Sequence, residues 1–239
     1  HWLQHAGNAR LNDTLHELIV RSVENATVEG YRFTVDQVRT DVRSGDVLIT
    51  GIRLSYDSAL VDSLRAGIHD YLFAASADTI AIHKLSIWRA LVQRRIQVSE
   101  VDVRHPRLRY VVGGKRISLE APFDRLRRAQ PGRGPFPGIA IARIHVRGAA
   151  AEMHDLSGHL PVLAANGLEL AVHALSVTRQ AGQPRSRLTV QALDLALDSL
   201  RTELPDGYRL SFGPIRLSDR ERRGTVQAFR LTPPPGLVN

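Results

Sequence analysis

The chain of 239 residues contains no cysteine, one methionine and only two lysines, Lys84 and Lys115. Without thiols it has neither a disulfide framework nor a thiolate metal site, and the absence suits an oxidising compartment, where a stray thiol is a liability. Aromatic residues make up 5% of the chain, so the core must be built from Leu, Val, Ile and Ala. No apolar run is long enough to span a bilayer as a helix. No signal peptide is visible, and the abrupt start at "HWLQHAGNARL" fits a processed or truncated form.

What is abundant is arginine. The net charge is +8, and thirty of the 32 basic residues are arginine. Such a balance invites nucleic acid or an anionic membrane as partner. The arginines are scattered, however, often at every second position, as at Arg107 and Arg109, which is the spacing of a solvated strand face. The densest runs, Arg125 to Arg128 and Arg220 to Arg223, are short and lie beside Pro/Gly or acidic residues. Single-strand binders interleave basic residues with aromatic platforms. Here Tyr31, Phe33, Tyr110, Tyr208 and Phe212 alternate with aliphatic partners on one packed face. No zinc finger or RNP motif is present, so no nucleic-acid partner is expected; contact with anionic headgroups is the sharper alternative to a solvated face.

With 43% hydrophobic and 23% charged residues the chain should fold. Leu11, Leu15, Leu18, Ile19 and Val23 within Asn8 to Ala26 have helical spacing and predict an amphipathic helix. It reads as a cap on one end of a core, or, less simply, as a membrane-surface helix. The period then changes to two: Tyr31, Phe33 and Val35, then Val47 and Ile49, then Ile52, Leu54 and Tyr56. A slip of one at Gly51 predicts a bulge or kink, and the turn of this hairpin falls at Arg43 to Asp46.

Asp57 to Ala75 predicts a second helix with Leu60, Leu64, Ile68 and Leu72 on one side, and Ile87 to Leu91 a short turn or third helix. Period-two segments return at Ile80 and Ile82, Ile96 and Val98, Val101 and Val103, and Leu108, Tyr110 and Val112. A Pro/Gly-rich break, "AQPGRGPFPG", spans 129–138. Beyond it similar short strands run from Ile139 to Leu197. The expected organisation is a helix-plus-β unit over 1–128, a linker over 129–138 and a continuing β unit over 139–239, or one continuous domain. The fold class is mainly β with two or three short helices.

The chain also restarts. "GYRFTVDQVRTD" from Gly30 aligns without a gap, at an offset of 177, with "GYRLSFGPIRLS" from Gly207. Gly30, Tyr31, Arg32, Arg39, Arg43, Arg53 and Leu54 match in type. Phe33, Val38, Ile49 and Ile52 meet Leu210, Ile215, Val226 and Phe229 in the same phase. The turn looks lost in the second copy, since Gly45 faces Arg222 and Gly51 faces Ala228. The restart reads as a second hairpin forming a sheet edge, continuing or closing the first unit.

No constellation for catalysis is found. His154, Asp155 and His159 are the tightest histidine group, but His at i and i+5 shares no face of a helix or strand, and no third ligand is implied. His83, His105, His145 and His173 stand singly. Ser44 and Ser157 lie in no G-x-S-x-G elbow, and Gly113-Gly-Lys115 is too short for a phosphate loop. A non-enzyme without cofactor or metal is expected.

The order of segments carries a resemblance. A helix precedes "SGDVLITGIRLS"; "IAIHKLSIWRAL" follows, then "IQVSEVDVRHPRLRY" from Ile96 to Tyr110. Over roughly Leu11 to Asp155 this resembles the amino-terminal region of the AsmA-like family, bacterial envelope proteins that include TamB. The resemblance implies a strongly curved antiparallel β-sheet forming an apolar groove (a half-barrel), as in bridge-like lipid transfer proteins. It also implies phospholipid transport or outer-membrane biogenesis, a periplasmic location, and inner-membrane anchoring through a segment missing here. Lipid would be the partner, with Tyr31, Phe33, Val35, Val47, Ile49, Ile80, Ile82, Ile96, Val98, Val101, Val103, Leu108 and Tyr110 lining the groove and headgroups at an Arg-bearing rim. The plainer reading makes these residues core, and the other functional class is an envelope module that binds a protein partner through a sheet edge.

Overall fold

The computed structural model describes residues 17, 30–41, 43–86, 95–113, 138–156, 161–179, 186–204 and 207–234. These contain fifteen strands in a single curved sheet. In chain order they are β1 (Tyr31–Thr34), β2 (Gln37–Asp41), β3 (Asp46–Tyr56), β4 (Tyr71–His83), β5 (Arg95–Arg104), β6 (Arg107–Val112), β7 (Gly138–His154) and β8 (Pro161–Arg179). The remainder are β9 (Ser186–Thr189), β10 (Ala192–Leu197), β11 (Ser199–Glu203), β12 (Arg209–Phe212), β13 (Ile215–Ser218), β14 (Arg223–Val226) and β15 (Phe229–Thr232). One helix, α1 (Ser58–Arg65), lies between β3 and β4.

The path across the sheet is β1-β3-β4-β5-β7-β8-β10-β13-β14, nine strand positions wide. Short strands share a position end to end: β1 with β2, β5 with β6, β9 with β10 and β11, β12 with β13, and β14 with β15. Neighbours are antiparallel except that β5 and β6 both run parallel to β7. The expected purely antiparallel sheet is therefore corrected to a mixed one. A parallel step needs a long crossover, and the chain between β6 and β7 supplies the length. Residues 114–137 of that stretch, which hold the proposed linker except Gly138 at the start of β7, lie outside the described residues, yet the strands on either side are neighbours.

The second helix is shorter than its spacing suggested. Asp57 caps it, its carboxylate accepting the Leu60 N–H at 3.0 Å. Gly67 at φ +72 follows its last turn and ends it. Leu60 and Leu64 pack on Leu72, Tyr31, Tyr56 and Val111. Ile68 lies beyond the helix and is exposed, and Leu72 belongs to β4. The apolar spacing that looked helical across Gly67 is a helix followed by a strand, each burying its own leucine. Of the N-terminal amphipathic helix only Glu17 is described, and it is helical; the rest of it and the segment 87–91 lie outside the described residues.

Two creases cross the sheet. Along the first, every position slips its alternation by one: at Asp36, Gly51, Asp78, His105–Pro106, Gly148, Gly167, Asp198, Gly213–Pro214 and Gln227–Ala228. Gly51, His105, Gly148, Gly167 and Ala228 take positive φ there. A strand whose phase slips alone turns its apolar side chains to the wrong face. When all neighbours slip on one line, pairing survives and the sheet bends. The cluster of Val35, Val38, Val47 and Ile49 spans this crease, and Phe33 and Ile52 pack on it, so the apolar face is continuous across it. A second crease runs through Lys84 and Ala174, both at positive φ, and through Ser99, Ala142 and Gln191 between them and beyond. Leu85 beyond it still packs on the Val47 and Ile49 cluster.

Candidate functional site

Between the creases the apolar side chains form unbroken rows across the sheet. One row runs Val38, Ile49, Ile80, Val103, Val146, Leu170, Leu195, Leu217, each the registered partner of the next. A second runs Val47, Ile82, Val101, Ile144, Val172, Leu193. Below the first crease Phe33, Leu54, Ala75, Leu108, Ala151, Ala165, Leu200, Phe212 and Phe229 form a third. Strands lie about 4.8 Å apart, so the seven intervals from Val38 to Leu217 span roughly 34 Å. That is about twice the roughly 15 Å of hydrocarbon in one bilayer leaflet.

Eight of the thirteen sequence-predicted residues, Phe33, Val47, Ile49, Ile80, Ile82, Val101, Val103 and Leu108, fall in these three rows, and the other five lie outside them. Val47, Ile49, Ile80, Ile82, Val101 and Val103 lie together between the creases. Tyr31, Phe33, Leu108 and Tyr110 lie below the first, where the Tyr31 ring lies tilted against Phe73 with centroids 5.2 Å apart and Tyr110 stacks on Tyr71 at 4.9 Å. Val35 sits at the first crease, in the cluster with Val38. Ile96 and Val98 lie beyond the second, registered with Ile139 and Ile141. They are not uniformly accessible. Val35, Val47, Ile49 and Val98 are buried; Ile80, Ile82, Val101 and Val103 are half-buried; Leu108 is exposed. Along the first row cover thins away from the β1/β2 edge, through half-buried Val146, Leu170 and Leu195 to exposed Leu217, while Val172 in the second row and Ala165 in the third are buried. These latter residues were read as strands but not as lining, because their partners across the sheet are set by a parallel step that no local pattern announces.

The arginines of the described strands alternate with these rows and so occupy the opposite face across its width, rather than a rim alone. A trough of about 810 Å³ on that face is lined by His145, Arg147, Glu169, Asp194, Arg216, Arg220 and Arg223 among others. Its charges are mixed: Asp194 accepts from the Ser218 hydroxyl and lies near His173 and Arg220. Asp102 is buried on the same side between Arg104 and Arg147, 3.1 and 3.5 Å away. Burying a carboxylate is tolerable only with such partners.

Side chains pin the creases. Arg53 meets Asp36 at 3.2 Å, and His105 meets Asp78 at 3.0 Å. At the second crease the Lys84 N–H donates to the Asp46 carboxylate at 3.1 Å. That bond, then the Ser44 hydroxyl and nearby His83, holds the Asp46 carboxyl below its ordinary value. Asp41 is lowered as well, chiefly by the Arg43 N–H and then by Ser44.

The restart in the sequence is a restart in geometry. Val38 faces Ile49 and Phe33 faces Leu54; 177 residues on, Ile215 faces Val226 and Leu210 faces Leu231. The turn that looked lost is present. Arg222 takes φ 50 where Gly45 has 74, and Ala228 takes φ 51 where Gly51 has 64. The backbone repeats although the glycines do not, which residue type alone conceals. The first copy forms one edge of the sheet and the second copy the other.

Among the described residues no three His, Asp or Glu side chains are grouped to hold a metal ion, and no helix is long and apolar enough to cross a membrane. His154 is buried in β7, 3.1 Å from Glu152, while His159 lies outside the described residues. No protein-family model and no curated protein matches this chain.

Proposed function

We propose that the chain is a non-enzymatic lipid-binding unit whose apolar sheet face holds phospholipid acyl chains, as in the envelope lipid-transport proteins it resembles in sequence. The observation that carries this reading is the continuity of the apolar rows. A plain core needs one patch buried on one partner layer; these rows run across the sheet and stay half-buried for most of that run. Each methylene of a chain laid along them contributes about 0.8 kcal/mol on leaving water. Area, not specific polar contact, then sets affinity, which suits a surface of Val, Ile and Leu with few polar interruptions. Such a unit would work in the periplasm.

The test is extraction. Protein purified without detergent from a Gram-negative host is extracted with organic solvent and its lipids quantified by mass spectrometry. The proposal expects phospholipid near one molecule or more per chain, and uptake of a fluorescent phospholipid by the stripped protein. Lipid-free protein that also takes up none would refute it.

A further inference from the structure

We propose that the outer edge formed by β14 and β15 docks one strand of another protein. The strand adds antiparallel, apolar on the side of the sheet's apolar face and acidic on the other. This inference does not depend on the lipid reading.

The repeated hairpin supplies an internal reference. In the first copy the edge of β3 is occupied by β4: Ile49 faces Ile80, Ile52 faces Ala77 and Leu54 faces Ala75. Ile49 is 7% exposed, and Ile52 and Leu54 are half-buried. The equivalent residues of the second copy are Val226, Phe229 and Leu231, which pair inward with Ile215, Phe212 and Leu210 and, among the described residues, have no strand outside them. They are 58%, 65% and 50% exposed. Same hairpin, same register: β4 covers the edge of the first copy, and among the described residues no strand covers the corresponding edge of the second. Open edges carrying large apolar side chains are sites of strand addition.

Charge selects the occupant. Arg223 and Arg230 project from the other side of this edge, and among the described residues neither has an acid within 4 Å. A second copy paired antiparallel on the same edge would bring its own Arg223 and Arg230 onto that face, between molecules of net charge +8. Like charges side by side in a sheet oppose pairing, and opposite ones favour it. An acidic strand is the complement.

The probe is a fluorescent peptide with the β4 sequence Tyr71 to Lys84, made in two versions. By the reference register Ser76 faces Arg53, the equivalent of Arg230, and His83 faces Asp46, the equivalent of Arg223. One version carries Ser76→Glu and His83→Glu, the other Ser76→Lys and His83→Lys. Anisotropy with the intact protein should show saturable binding of the Glu peptide and affinity lower by about tenfold or more for the Lys peptide. Val226→Asp with Phe229→Asp should lose both. A protein carrying Arg223→Glu and Arg230→Glu should reverse the preference, a result that misfolding cannot mimic. No binding of either peptide, or binding indifferent to these substitutions, overturns the proposal. So does a dimer in sedimentation that Phe229→Asp dissolves, because the edge would then belong to a second copy.

Discussion

Gly51 lies beneath the Asp36 carboxylate, and a Cβ there would collide with it. With φ +64 the position is strained for any L side chain as well. The same relationship recurs between Gly167 and Asp198, and between Gly148 and the His105 ring. Gly51→Ala is therefore expected to destabilise the fold by about 2 kcal/mol or more, read from urea denaturation. A loss within error would mean that the crease is not fixed by this contact.

Ala228 occupies the backbone state of Gly51 without being glycine. A left-handed non-glycine residue costs roughly 1–2 kcal/mol, part of which glycine gives back through its looser unfolded chain. Ala228→Gly should raise stability by about 0.5–1 kcal/mol, while the same change at Ala77, a buried strand position, should lower it. Destabilisation at both sites would contradict the repeated hairpin geometry.

Along the row from Val38 to Leu217 cover thins from one edge of the sheet to the other. Ile49→Ala should cost about 2–4 kcal/mol, as for a packed core site, and Leu217→Ala under about 1 kcal/mol. Equal losses in denaturant midpoint would argue for a uniform core with no accessible face.

Asp46 holds the Lys84 N–H and is depressed below its ordinary pKa of 3.8. A depressed carboxyl stabilises the fold above the unfolded value, and that contribution fades as pH falls through the lower folded value. The Lys84 amide resonance should shift below pH 3.8, and Asp46→Asn should remove the transition. A transition that survives the substitution would place its cause elsewhere.

Much of the fold was legible in the residues. Alternation marked the strands, Gly51 announced a slip, and Arg43 to Asp46 the turn. What alternation did not reveal is that pairs such as Ile96 and Val98, then Val101 and Val103, belong to one strand. A one-residue slip looks like a strand break when neighbours are unseen, and only the shared crease shows that the strand continues. β7 and β8, of 17 and 19 residues, were hidden this way. The Leu60 to Leu72 spacing misled for a different reason: Gly67 ends the helix where period alone would carry it on. Of the candidate site, the lining on β3 to β6 was legible as apolar alternation. Its continuation through Val146, Leu170 and Leu195 depends on long-range register, as does the bare edge at Val226, Phe229 and Leu231.

The central claim, acyl chains on the apolar face, is tested most directly by photocrosslinking. A photoreactive amino acid is placed at Leu195, on the apolar row, and separately at Ala196, one residue on and facing the arginine side. After ultraviolet irradiation in a Gram-negative host, mass spectrometry of the purified protein should find phospholipid adducts at position 195 and few or none at 196. Equal labelling of the two positions, or none at 195, would contradict the account.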